Sequence, residues 1–293
     1  MRTSVVISTY TKERFNDILK CIESLLNQTT PPNEIILVLD PDEELIYFYK
    51  ENLKEYPVKI VKSPKKGLSS ARNAGIEHSK GDIIAFIDDD AWAHPKWIEN
   101  LLRNFKDKEV VGVGGKIIPY FEGGRPKWLT DDLLWIVGCT FPPIFSEKKE
   151  IRNPIGANMA FRREVFEKVG LFKEGVGRVG KVLLGAEETE LSMRIKSKYS
   201  NWRIIYEPDA IVYHRIPESR ITFRYVLRRA FYEGVSKALL SKEYEIAGEY
   251  SYLIYLIQEL AKDIIRFRLE SFFARTLIIL SVGVGYSLST LSS

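Results

Sequence analysis

Ile83-Ile84-Ala85-Phe86-Ile87-Asp88-Asp89-Asp90 joins an unbroken apolar run directly to three carboxylates. A run of this kind reads as a buried strand, and its abrupt acidic end marks the point where side chains emerge at a sheet edge. Adjacent like charges repel and raise each other's pKa, so the cluster suggests a cation between its members, most simply a divalent metal with hard oxygen ligands. A second reading is a solvated turn whose Asp caps the next helix.

Working outward, the flanking sequence repeats the pattern. Further strands read at Ser4–Ser8, Glu34–Leu39, Val58–Val61 and Val110–Val113. Between the first two, Phe15, Ile18, Leu19, Ile22, Leu25 and Leu26 recur at helical spacing, and Pro31 and Pro32 close the element. Alternating apolar runs and amphipathic helices predict an α/β fold with parallel strands joined by crossovers. Ligands of such sheets bind beyond the carboxyl ends of the strands. The residues to watch are therefore Thr9, Tyr10, Asp40, Asp88, Asp89 and Asp90. Gly67–Gly75 adds a small-residue loop running into a helix, which lets backbone approach a phosphate closely, and Arg72 within it supplies a charge.

Composition sets the outer bounds. The chain has 293 residues, 45% of them apolar, enough for a substantial core, and a formal net charge of only +4. No nucleic-acid partner is expected. The charge is uneven: Arg215, Arg220, Arg224, Arg228, Arg229, Lys237 and Lys242 face only Glu218 and Glu233. Cys21 and Cys139 have no metal-ligand spacing and read as reduced thiols of a cytosolic protein. Glycine and proline gather at 119–126, 153–156 and 170–185, which predicts loops around a site. From Ile221 the pattern turns helical and basic, with apolar stripes at Phe223, Val226, Leu227 and Phe231 and again over Tyr252–Ile265. Thr276–Leu291 is apolar but shorter than the roughly 20 residues of a membrane span, which favours an interfacial or protein-packed helix.

A second acidic cluster lies at Gly185-Ala186-Glu187-Glu188-Thr189-Glu190 ahead of another helix. Acids favour helix N-termini, but a carboxylate facing a metal site across a cleft is also what a hydroxyl nucleophile needs as a general base. His214, just after Ile211–Tyr213, reads either as a structural histidine or as a further metal ligand or diphosphate contact.

In order and spacing, residues 3–215 resemble the inverting, metal-dependent family 2 glycosyltransferases of GT-A fold. The resemblance implies a Rossmann-like mixed sheet over 1–215 and a C-terminal helical extension over 216–293. It implies that Thr9, Tyr10 and Asp40 meet the nucleobase, uracil where the donor is uridine-based. Within the Gly67–Gly75 motif it gives Arg72 and Asn73 to the nucleotide or diphosphate. The Asp-x-Asp signature puts Asp90 on the metal and Asp88 on ribose or a metal-bound water, with Asp89 beside them and His214 as a further ligand. Gly156–Arg163 resembles the acceptor-side segment that precedes the catalytic acid pair. That pair, usually Glu-Asp, is here Glu187 and Glu188, with Glu188 as the base. The resemblance thus implies Mn²⁺ or Mg²⁺, a nucleoside diphosphate sugar donor and a glycan or lipid-linked acceptor. The basic segment and apolar helices after it suit a membrane surface, peripheral or C-terminally anchored at the cytoplasmic face. A bare polyprenyl phosphate acceptor and a non-catalytic sugar-nucleotide binding module are the competing readings.

Overall fold

A computed structural model describes residues 1–142, 144–176, 183–244 and 248–291. Residues 177–182, part of the glycine-rich stretch expected to be loop, lie outside the described residues. Strands β1 (Thr3–Thr9), β2 (Glu34–Leu39), β3 (Val58–Lys62), β4 (Ile83–Asp88), β5 (Ala91–Ala93), β6 (Val110–Phe121), β7 (Lys149–Glu150), β8 (Asn158–Arg162) and β9 (Arg203–Ile216) form one sheet. Their order is β3-β2-β1-β4-β8-β6-β9-β5, with β7 also paired to β9.

The four strands from β3 to β4 run parallel. β8 then enters antiparallel between β4 and β6, which makes the sheet mixed. Alternation along the strands explains the layering: Val5 and Ile7 of β1 face one core and Val6 the other, and β2 and β4 repeat the division. Helices α1 (Phe15–Leu26), α2 (Glu43–Asn52) and α4 (Trp97–Leu102) cover the first face. On the second lie α3 (Leu68–His78), α5 (Arg163–Lys168) and α6 (Glu187–Lys198). In α1, Ile18, Cys21, Ile22 and Leu25 are buried in one stripe, each large aliphatic contributing about 1.5–3 kcal/mol.

β6 is longer than expected. Gly114, Gly115 and Pro119 read as breakers, yet a register shift at Gly115/Lys116 absorbs the irregularity and the strand pairs with β9 as far as Phe121. The loop expected from residue 119 starts only at Glu122.

The remaining helices, α7 (Phe223–Ser241), α8 (Gly248–Ile265) and α9 (Leu269–Leu291), pack on the sheet's end through a third core that joins Ile117 and Ile216 to Val226, Leu256 and Ile278. α9 is long and apolar enough to cross a membrane by length and composition. Here it packs along α7: a Cβ at Gly285 would sit 2.0 Å from the Phe231 carbonyl oxygen, and one at Gly234 would sit 2.0 Å from that of Val282. Only glycine permits backbones this close. Arg275 of α9 is fully buried and pairs with Asp132, in a 3-10 turn over Asp131–Val137, and with Asp263 of α8 at 3.2 Å. Removing the cation would strand Asp132 in a dry interior, so Arg275→Met should cost about 3–5 kcal/mol in urea unfolding. A loss below about 1 kcal/mol would contradict this account of how α9 is held.

Candidate active site

Register fixes which strand ends meet. Thr9 pairs with Leu39, and Ser8 pairs with Asp88, so Thr9, Asp40 and Asp88 emerge together at one edge. They line a cleft of about 400 Å³ with Tyr10, Gly67, Asp89, Asp90 and His214. Tyr10 is half exposed at its rim, and Arg14 lies over its ring at 5.8 Å. Asp40 accepts a hydrogen bond from the Gly67 N–H at 3.3 Å, while burial raises its pKa.

The acidic triplet separates by partner. Asp89 is buried and bonded to Arg14; burial pushes its pKa to about 6 in spite of that cation. Asp90 is ringed by His214 Nε2 at 3.0 Å, Arg220 at 3.0 Å and Arg14 at 3.3 Å. Burial alone would raise its pKa, but His214 and Arg220 outweigh burial and hold the carboxyl well below the usual range. His214 shows the counterpart: burial lowers its pKa, Asp90 raises it more, and it stands at about 10. Asp88 is the most open of the three and points toward Arg72 at 3.5 Å. Donor atoms of Asp88, Asp90 and His214 all lie within 4.8 Å of one another and, with the His214 proton displaced, form a two-carboxylate, one-imidazole set that fits a divalent ion.

Arg72 connects this edge to the second acidic cluster. Its guanidinium, almost wholly buried, donates to Glu187 at 2.8 Å as well as reaching Asp88. A Cβ on Gly156 would lie 2.5 Å from that guanidinium, so the residue type at 156 makes room for the bridge. Glu187 and Glu188 open α6, and one oxygen of each is buried with no hydrogen-bond partner. Burial, reinforced by the neighbouring Glu187 charge, pushes Glu188 up to about 8, while Arg72 and Arg229 pull the other way. A carboxyl poised near neutral pH is suited to accept a proton from a hydroxyl. Glu188 faces a second, larger cavity that also contains Arg72 and Asp88.

Two site residues escaped the sequence reading: Arg14, just ahead of α1, and Arg220, in a 3-10 turn after β9. Position held the available signal, since Arg14 lies in the first strand-to-helix turn and Arg220 six residues beyond His214. Asn73 is not brought into the cleft; its carboxamide exchanges two hydrogen bonds of 2.9 Å with the backbone of Phe172 and ties α3 to the segment after α5. Cys21 and Cys139 are buried free thiols, and Cys139 Sγ lies 3.8 Å from His214 Nδ1.

Comparison with known proteins places the chain in a family and a fold. Residues 4–170 match the family model for glycosyl transferase family 2. The chain is 30% identical to the glucosyl-dolichyl phosphate glucuronosyltransferase of Haloferax volcanii over 299 residues, 98% of this chain and 95% of that protein. It is 28% identical over 210 residues to the dolichol-phosphate mannosyltransferase of Pyrococcus furiosus, covering 68% of this chain and 54% of that one. Among solved structures, the mannosyltransferase PcManGT of Pyrobaculum calidifontis, in complex with GDP-Man and Mn²⁺, superposes with a TM-score of 0.64 at 16% identity over 99% of this chain and 87% of that one. The architecture is the GT-A fold expected from the sequence, with C-terminal helices added.

The raised Glu188 pKa has a measurable sign. The folded chain keeps this proton up to about pH 8, whereas the ordinary value is 4.5, so stability falls as pH rises across that window. Glu188→Gln is permanently neutral and escapes the loss. Without nucleotide or metal, the Tm of E188Q should match wild type near pH 5 and exceed it increasingly toward pH 9; a gap independent of pH would refute the assignment.

Proposed function

The chain belongs to glycosyltransferase family 2 and is a glycosyltransferase; from that premise we propose that it transfers a sugar, with inversion, from a nucleoside diphosphate sugar to a hydroxyl of a lipid-linked acceptor. The observation that carries this reading is the pairing of two acidic clusters through Arg72, with a nucleotide-sized cleft on one side and Glu188 on the other. In it, Thr9, Tyr10 and Asp40 receive the base, uracil by the carboxylate acceptor at Asp40, and Asp88 the ribose.

Asp90, Asp88 and His214 would hold Mn²⁺ or Mg²⁺, which would supply electrostatic stabilisation to the departing diphosphate. The imidazole favours Mn²⁺ over Mg²⁺, which prefers an all-oxygen shell. The solved Pyrobaculum neighbour is in complex with GDP-Man and Mn²⁺, which supports a metal and a nucleotide sugar in this reading. Arg14 and Arg220 already face Asp90 and are the chain's own cations for the charge that develops there. As the bond from the anomeric carbon to the diphosphate oxygen breaks, its electron pair leaves with the diphosphate. The acceptor oxygen bonds to the anomeric carbon from the opposite face and gives its proton to Glu188. A bare phosphate acceptor would need no base and leave Glu188 without work, which favours a hydroxyl.

The named substrates of both curated relatives carry dolichyl-type phosphates, which supports a polyprenyl-linked acceptor here. The helical segment 216–293 supports it as well. Leu253, Ile254 and Ile257 of α8 and Phe273, Leu277, Leu280, Val284 and Leu288 of α9 are exposed, and at the turn between them Ile264, Ile265, Phe267 and Leu269 stand out beside Lys262 and Arg266. Phe267, 87% exposed, also holds a φ of 54°, which costs a non-glycine residue about 1–2 kcal/mol. Exposed aromatic and aliphatic groups among cations suit insertion into an anionic membrane face, the cytoplasmic one in this reading.

Calorimetry with UDP should show binding that depends on Mn²⁺ in wild type, that survives Glu188→Gln and that disappears in Asp90→Ala. Transfer from the productive nucleotide sugar should fall by about 10²–10⁴ in E188Q; turnover near wild type would overturn the base assignment. In flotation with phosphatidylglycerol vesicles, Ile265→Asp combined with Phe267→Asp should release the protein into the soluble fraction, and unchanged partitioning would contradict the membrane face.

A further inference from the structure

The second cavity, about 1040 Å³, has no occupant in the donor half of the reaction. It meets the nucleotide cleft at Leu68, Asp88, Gly138, Tyr225 and Arg229, which line both. Its near end holds Glu187 and Glu188, and Arg229 and Lys237 of α7 also line it, both facing Glu233 at 2.9 and 3.9 Å. Trp135, Tyr252, Leu256, Ile278 and Val282 form an apolar wall built from the 131–137 turn, α8 and α9, while Lys149, Glu150, Arg152 and Asn153 add polar groups elsewhere in the lining. Pockets of roughly 300–1,000 Å³ enclose drug-sized ligands, so the volume exceeds what one sugar ring needs.

Chemistry separates the possible occupants. Along the wall from α8 and α9, a free glycan would place its hydroxyls against aliphatic side chains that cannot pair with them, at a cost for each. A hydrocarbon chain has no such cost. The wall also reaches the outer surface: Leu253 and Tyr286 line the cavity and are 41% and 36% exposed, beside the apolar residues of α8 and α9 already described. An isoprenoid lying along this wall can thus continue outward past Leu253 and Tyr286 onto that exposed apolar surface.

We propose that this cavity seats the lipid part of the acceptor, a sugar-bearing polyprenyl phosphate: acceptor hydroxyl at Glu188, phosphate on Arg229 and Lys237, and the first isoprenoid units along Tyr252, Leu256, Ile278 and Val282. The tail leaves past Leu253 and Tyr286. This assignment rests on the transferase reading above, and gives the C-terminal helices the task of forming half of a substrate site.

Farnesyl phosphate, below its micellar concentration, is the probe. Trp135 reports from the wall, so titration should change tryptophan fluorescence saturably, and Trp135→Phe should remove most of the change. Val282→Phe, which fills the wall, should weaken binding at least tenfold while keeping a cooperative thermal transition. Lys237→Met should weaken farnesyl phosphate several-fold and leave farnesol unaffected, and it decides the question alone if V282F does not fold. No saturable response in wild type, equal affinity in the variants, or an equal response to inorganic phosphate would each overturn the proposal. Loss of Mn²⁺-dependent UDP binding in wild type would instead strike the transferase reading, so the two failures are distinguishable.

Discussion

Carboxylates concentrated at one sheet edge cannot be buried without cations, and that constraint organises the rest of the molecule. Asp88 ends β4 and Asp89 and Asp90 follow it, Glu187 and Glu188 begin α6, and Asp89, Asp90 and Glu187 are buried. Arg14, Arg72, His214 and Arg220 answer them from four separate parts of the chain. Each pair is expensive to desolvate and more expensive to break, so the network contributes little net stability but fixes where these elements stand relative to one another. Its balance is also uneven: Asp90 is held strongly ionised, whereas Glu188, with less compensation, retains its proton near neutral pH. One carboxylate is thereby suited to hold a cation, and the other, once ionised, to take up a proton.

The C-terminal helices share in this arrangement. Arg220 and Arg229 reach the cleft at the strand ends from the chain beyond β9, and Leu256, Ile278 and Val282 close the neighbouring cavity. The close backbone contacts at Gly234 and Gly285 and the buried Arg275 hold α9 against α7 and the 131–137 turn. That turn in turn supplies Ile136 and Val137 to the cleft. An apolar helix of membrane-spanning length is therefore fixed to α7 and to the turn that borders the cleft.

Much of the first half was legible because its signals are local. Glu34–Leu39 came out with the observed bounds and the apolar positions from Phe15 to Leu26 fall on one helix, since apolar period and flanking proline report strand and helix directly. The antiparallel insertion of β8 and the length of β9 were not legible, because their hydrogen-bond partners lie far away in sequence and glycine or proline interrupts the pattern. The same holds within the site. Asp88–Asp90 and Glu187–Glu188 stood out as clusters, whereas Arg14 and Arg220 are ordinary-looking arginines until the fold brings them to Asp89 and Asp90. At Asn73 the sequence motif points to nucleotide, while the fold engages its side chain with the Phe172 backbone, a tie no local pattern reports.

The central claim is that the charge balance at Asp90 is set up for a divalent ion and a diphosphate. Anomalous scattering at the manganese edge from crystals soaked in Mn²⁺ and UDP tests it directly. The account predicts one strong peak among Asp88, Asp90 and His214, with the UDP diphosphate beside it and Arg220 drawn off Asp90. No peak at saturating Mn²⁺ and UDP, with the Arg14 and Arg220 ion pairs intact, would contradict it.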